Sequence, residues 1–192
     1  MSAVEADIEN AFRELVGERR YRSITVKDIC ERADVSRKTF YSYFNDKDSL
    51  LERIIRRDMI KPMRDICSLL SNDEVLGLAR SIYERMYKAV YDDGEFYRAL
   101  LVPMRGTDFT FLYIASSALY DFHRDTLSRL SLSVATPQGD FIASYFAQAQ
   151  AMMIDKWVCD GFQLTPSQIA SLYEEVALPF WKKLAAKVPE LS

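Results

Sequence analysis

Apolar residues at Val4, Ile8, Phe12, Leu15 and Val16 follow steps of four, four, three and one, so they share one helical face. This spacing predicts a first helix of about 14 residues, broken at Gly17 and by the polar run to Ser23. Thr25 then offers an N-cap with Asp28 three residues on, ahead of a short second helix whose face is Val26, Ile29 and Ala33. Asp34 is suited to a left-handed turn after it, because its short polar side chain tolerates that backbone region. Ser36 caps a third helix from Arg37 to about Phe44, with Phe40 and Phe44 inward and Arg37, Lys38, Thr39, Tyr41 and Tyr43 largely outward. Asp46 caps a fourth with Leu50, Leu51, Ile54, Ile55 and Met59 on one face, bent near Pro62.

Further along, Ser71 with Glu74 makes a capping box for a fifth helix through about Val90, ended by Asp92-Asp93-Gly94. Helices are predicted at Glu95–Leu101 and Asp108–Leu132, separated by the turn from Pro103 to Gly106. After a break from Ser133 to Asp140, two long helices are expected at Phe141–Asp160 and Pro166–Lys187, the second opened by Thr165-Pro-Ser-Gln168. The fold class is therefore all-α with about nine helices: a three-helix head over residues 1–48 and a helical body over residues 49–192.

Charge is divided in the same way. The whole chain of 192 residues has net charge −3, yet Arg19 to Arg57 holds eleven Lys and Arg against six Asp and Glu, a local excess of +5. A basic head on an acidic body keeps a nucleic-acid partner open that the net charge alone would disfavour. Two short helices joined by a three-residue turn, the second exposing a basic and aromatic face, are the layout of a helix-turn-helix reader of double-stranded DNA. Arg37, Lys38 and Thr39 open the reading helix and are the candidates for base contacts. Arg or Lys can donate twice to a guanine edge, and Thr can pack on a thymine methyl. Tyr41 and Tyr43 are placed to hold phosphates by their hydroxyls, and Lys47, Thr25 and Ser36 stand at helix starts where an anion is favoured.

The stretch ITVKDICERADVSRKTFYSYFNDKDSLL, Ile24 to Leu51, resembles the amino-terminal DNA-binding segment of TetR-family transcriptional regulators. The form Ser36-Arg-Lys-Thr-Phe-Tyr41 is also similar to a subgroup with short ligand domains, some related to dihydroxyacetone-kinase regulators. The resemblance covers about 55 residues, and it implies a homodimer, a palindromic operator and phosphate contacts at Thr25, Tyr41, Tyr43 and Lys47. Two positions depart from the family pattern: Arg20 and Asp34 stand where glycine is usual.

The body has more apolar surface than its own core needs. Tyr145, Met152 and Trp157 on one long helix, and Leu172, Val176 and Phe180 on the other, are the expected dimer surface, in stripes that also take in Leu184 and Val188. Between head and dimer helices, Tyr83, Tyr87, Phe96, Phe111, Phe122 and the single histidine, His123, make an aromatic cluster suited to a small apolar or aromatic effector. The resulting expectation is a DNA-binding regulator, a repressor that answers to that effector, with a body that docks a protein partner as the alternative. No nucleophile and base, metal spacing or phosphate-cradling loop accompanies the one His and three Cys, so catalysis, metal and cofactor are not expected. The longest uncharged apolar stretch, Phe109–Tyr120, is far short of the roughly 20 residues a bilayer requires. Residues Met1–Asn10 carry three acids and no base, which predicts a cytoplasmic protein without an address signal.

Overall fold

The computed structural model describes residues 2–129 and 136–185, with the backbone alone at 72, 73, 76, 184 and 185. The expected helix ends at Leu132 and Lys187, the start of the break at Ser133, and the side chains of Leu184 and Val188 lie outside the described residues. Among those residues every regular element is helical.

Helix α1 (Ala3–Glu18) is started by a capping box between Ser2 and Glu5 and buries Ile8, Phe12, Leu15 and Val16. It continues through Gly17, which faces open space in the last turn. The link to α2 (Val26–Arg32) contains a single 3-10 turn, Tyr21–Ser23, which the polar composition concealed. Arg20 enters it at φ −61°, an extended conformation open to any residue, so the family's glycine is not needed there. Thr25 and Asp28 form the expected reciprocal cap. At the next turn Asp34 takes φ 52°, and the Val35 N–H reaches back to the Cys30 carbonyl, closing the α2 end before Ser36 caps α3 (Arg37–Tyr43).

Helix α4 (Lys47–Ile55) runs into a π turn at Arg56–Ile60 and then α5 (Lys61–Cys67). The bend expected near Pro62 is thus a wider turn just ahead of it. Lys61 N–H bonds five residues back to Arg56, and the extra residue eases the proline ring past the carbonyl one turn earlier. The predicted fifth helix is two, α6 (Asn72–Gly77) and α7 (Ala79–Asp92), parted at Leu78 where Gly77 weakens the helix. Helices α8 (Gly94–Leu101) and α9 (Thr110–Arg129) follow. Helix α10 (Pro137–Cys159) starts four residues before the expected Phe141, because Thr136 caps it and Pro137 occupies its first position. Helix α11 is Pro166–Ala185.

A single core extends from Ile8 to Trp181. Helix α1 packs on α2 and α8, α4 and α10 pack on α9, and α11 lies along α7. The head is thereby held by α1 and α4 to the body, while α3 packs on α2 and leaves Arg37, Lys38 and Tyr41 exposed.

Candidate nucleic-acid interface

Helix α3 is anchored from beneath by Phe40, which is fully buried and meets Phe44 with ring centroids 5.6 Å apart. With that face fixed, Arg37, Lys38 and Tyr41 project into solvent, and Thr39 and Tyr43 are half-buried. The basic stretch does not present its charge evenly. Arg19, Arg22, Lys27, Arg32, Arg53, Arg56 and Arg57 each pair with a carboxylate. Lys47 turns inward to backbone carbonyls, so Arg20, Arg37 and Lys38 are left as the outward cations with no ion pair among the described residues. Two of those three cations therefore open α3, where a phosphate or guanine would meet them uncompensated.

Three expected phosphate contacts have internal work in the fold. Thr25 Oγ1 accepts from the Asp28 N–H at 3.2 Å and donates to the Asp28 carboxylate at 2.6 Å. Those bonds from the Thr25 hydroxyl and N–H hold the Asp28 carboxyl below its usual range, against a smaller upward effect of burial. Ser36 Oγ accepts from the Thr39 N–H at 3.0 Å and lies 2.8 Å from Thr39 Oγ1. Lys47 turns inward: its Nζ donates to the carbonyls of Tyr21 at 2.8 Å and Ile24 at 2.9 Å, and lies 4.3 Å from the centre of the Tyr21 ring. Burial lowers its pKa, with Asp48 and Asp108 opposing. Lys47 thus pins the turn before α2 to the start of α4. Lys47→Met is expected to destabilise the protein by about 1 to 3 kcal/mol, since two inward carbonyls lose a charged donor, and a urea titration would show it. A midpoint equal to the parent's would contradict that role.

The residues expected on the body divide in the same manner. Tyr145, Met152, Leu172, Val176 and Phe180 are exposed on α10 and α11, and a Phe146–Phe180 ring contact at 5.3 Å joins the two helices. Trp157 does not belong with them: it is buried against Tyr87 and Phe162, and its indole N–H donates to the Leu164 carbonyl at 2.8 Å. Of the six cluster residues, Tyr83 and Phe122 line a cavity bounded also by Cys67, Ile82 and Trp181. Tyr87 and His123 are buried beside that region, whereas Phe96 packs on Phe12 and Arg13, and Phe111 on Tyr97, at the junction with the head.

That junction carries a group of residues that the periodicity did not single out. Arg13 on α1 bonds to Glu9 at 2.9 Å, to Asp58 in the π turn at 3.0 Å, and to Asp93 between α7 and α8. Arg57 joins Glu9 at 2.7 Å and Asp58 at 2.7 Å. Burial alone would raise the Glu9 pKa, but the hydrogen bonds from Arg57 and Arg13 outweigh it and hold the carboxyl low.

A helix-turn-helix head with a free cationic face on an all-helical body defines a DNA-binding protein. Residues 8–54 match the bacterial regulatory proteins of the tetR family, and residues 79–178 match the transcriptional regulator C-terminal region. The chain belongs to the TetR family: it is a DNA-binding transcriptional regulator, in a family of regulators rather than enzymes. It is 36% identical over 58 residues to DhaS of Lactococcus lactis subsp. lactis, named as the dhaKLM operon transcriptional activator; the match covers 30% of this chain and 31% of DhaS. A solved structure of DhaS has the same fold, with TM-score 0.56 at 21% identity over 95% of this chain and 97% of that one. So does the fatty acid degradation regulator FadR of Bacillus halodurans, with TM-score 0.62 at 16% identity over 93% and 96% of the two chains. FadR of Bacillus subtilis in complex with stearoyl-CoA gives TM-score 0.51 at 15% identity over 90% and 97%. No helix among the described residues is long and apolar enough to cross a membrane.

Proposed function

We propose that residues 1–48 form the DNA-binding head and residues 49–192 the effector and dimerisation body of a ligand-responsive repressor that binds a palindromic operator as a homodimer. The observation that carries the DNA half of this reading is the pair of unopposed cations, Arg37 and Lys38, at the opening of a helix locked by Phe40. In this reading Arg37, Lys38 and Thr39 meet base edges. Tyr41 and Tyr43 fix the register on phosphates, and the helix starts at Thr25 and Ser36 support them. One seven-residue helix reads few base pairs, so two copies set about 34 Å apart, in successive major grooves, supply the affinity and the symmetry of the site. The exposed apolar residues of α10 and α11 are the surface that joins them.

Selecting bound fragments from a random duplex pool tests this directly: a palindrome is expected, with half-sites one or more helical turns apart. An asymmetric or unselective pool would refute it. On the selected operator, Arg37→Ala is expected to cost about 1 to 3 kcal/mol at one base-pair position and little on random duplex. Competition binding with single-pair operator variants reads that difference, and equal losses on cognate and random DNA would remove Arg37 from the base readers.

For the body, a small apolar or aromatic effector is supported by the cavity at Tyr83 and Phe122. The effector would favour the arrangement that misplaces the two reading helices, so that effector and DNA weaken each other. A second reading, in which the body receives a protein partner, is favoured by the name of the similar DhaS, an operon activator. Co-purification on the selected operator separates the two.

A further inference from the structure

The cavity in the body has a wall of aromatic and aliphatic side chains, and Glu174 is the one charged residue among the described residues lining it. Two polar atoms in and behind this wall, Trp181 Nε1 and His123 Nδ1, are buried with no hydrogen-bond partner among the described residues, whereas the buried hydroxyls nearby meet one, Tyr173 with Tyr83 and Tyr87 with Gln150. Trp181 lines the cavity itself and is 4% exposed. His123 stacks on it with ring centroids 5.9 Å apart, and Tyr173 packs on the cavity residue Tyr83 at 4.3 Å. Burying donors and acceptors without partners is unfavourable, and proteins keep few of them, so a pair at one cavity calls for an occupant.

The chemistry of that occupant follows from what the wall lacks. His123 Nε2 lies 3.1 Å from Gln150 Oε1, and the amide oxygen can only accept; Nε2 therefore carries the hydrogen and Nδ1 is a bare acceptor on a neutral ring. Burial, with the Gln150 bond opposing it, keeps the ring neutral by pushing its pKa down to about 4. Among the described residues that line the cavity there is no lysine, arginine or charged histidine, and Glu174 repels negative charge. A carboxylate or phosphate placed there would lose its hydration and gain no counter-ion.

We infer that this site takes an uncharged, largely apolar ligand carrying one carbonyl or hydroxyl oxygen, stacked against Tyr83 and Phe122 and accepting the Trp181 indole N–H. The inference rests on the reading of the body as an effector receptor. As it stands the cavity is about 20 Å³, room for one water, so the wall must yield to admit the ligand. It is built to yield at α11: Pro179 lies inside the helix two residues before Trp181 and has no N–H to give the Glu175 carbonyl one turn back. The Trp181 end of the wall is thus tied to the rest of α11 by one backbone bond fewer.

The test uses the full chain and three probes of one shape: acetophenone, ethylbenzene and benzoate, each followed by thermal shift and by intrinsic tryptophan fluorescence. Acetophenone is expected to bind saturably and about ten-fold more tightly than benzoate, the difference a lost or unmatched hydrogen bond makes. Trp181→Phe is expected to weaken acetophenone about ten-fold and leave ethylbenzene within about two-fold. Benzoate binding as tightly as acetophenone, Trp181→Phe weakening both neutral probes alike, or no probe binding at all would each overturn the inference. Should Trp181→Phe fail to fold, the three-probe comparison on the parent protein decides alone. Operator titration with the same probes keeps the two readings apart. A neutral probe that binds without altering DNA affinity counts against the effector role but not against the site's chemistry. Benzoate that binds tightly and releases DNA does the reverse.

Discussion

Arg13→Ala is expected to lower stability by about 3 kcal/mol, and with it the melting temperature by about 6 to 12 °C for a chain of this size. The reason is what the substitution leaves behind. Arg13 is the shared partner of Glu9, Asp58 and Asp93, and its side chain is only 20% exposed, as are 7% of Glu9 and 19% of Asp58. Removing the guanidinium strands three carboxylates in a confined space with Arg57 as the remaining cation for Glu9 and Asp58, and takes a packed group off the Phe96 ring. Arg13→Lys is expected to recover less than half, because an ammonium cannot match three acceptors with a planar fork. Scanning calorimetry of both variants checks this, and an alanine variant melting within a degree of the parent would show that the cluster contributes nothing net. The sign of the pH dependence follows from Glu9. Its folded pKa lies below the ordinary value, so its contribution is complete above that ordinary value and is lost as acid titrates the folded group.

That cluster also marks where sequence reading stops. Capping boxes at Thr25 and Ser71, the left-handed Asp34 and the Phe40–Phe44 inner face were all legible, because each needs only residues within one or two turns of each other. Arg13 on α1 and Asp93 between α7 and α8 are 80 positions apart, and nothing in a helical period marks either as a partner of the other. The inward bonds of Lys47 are not legible for a related reason. Position in the first turn of α4 suggests an outward cation, whereas the direction of its side chain is decided by the Tyr21 turn folded over it, an element the polar composition concealed. The start of α10 is different, since its signal was present: Thr136-Pro137 repeats the Thr165-Pro166 pattern that correctly marked α11, and reading both alike would have placed the boundary. The free face of α3 needed no long-range knowledge at all. The amphipathic spacing fixes which residues turn outward, and the structure adds that Arg37 and Lys38 make no ion pair among the described residues.

The second large effect concerns the body surface. Val176→Glu is expected to abolish the proposed homodimer at micromolar concentration, and operator affinity is expected to fall by about two to three orders of magnitude, since in that reading a monomer meets one half-site. In the isolated chain Val176 is 73% exposed, so a glutamate there is solvated and the fold should not register it. Leu172 and Phe180 lie four residues to either side at 47% and 38% exposure, placing all three on one face of α11. A two-fold contact through that face brings each substituted residue near its own copy or the copy's apolar neighbours. Two carboxylates would then enter a largely apolar patch, a cost of several kcal/mol. Tyr113→Glu supplies the control, being 77% exposed on α9 away from that face; it should leave both assembly and DNA binding unchanged. Sedimentation velocity and operator titration read the two quantities separately. If Val176→Glu stayed dimeric with full operator affinity, the apolar face of α11 would need another partner. If it became monomeric yet bound the operator as before, the link between pairing and half-site spacing would be lost.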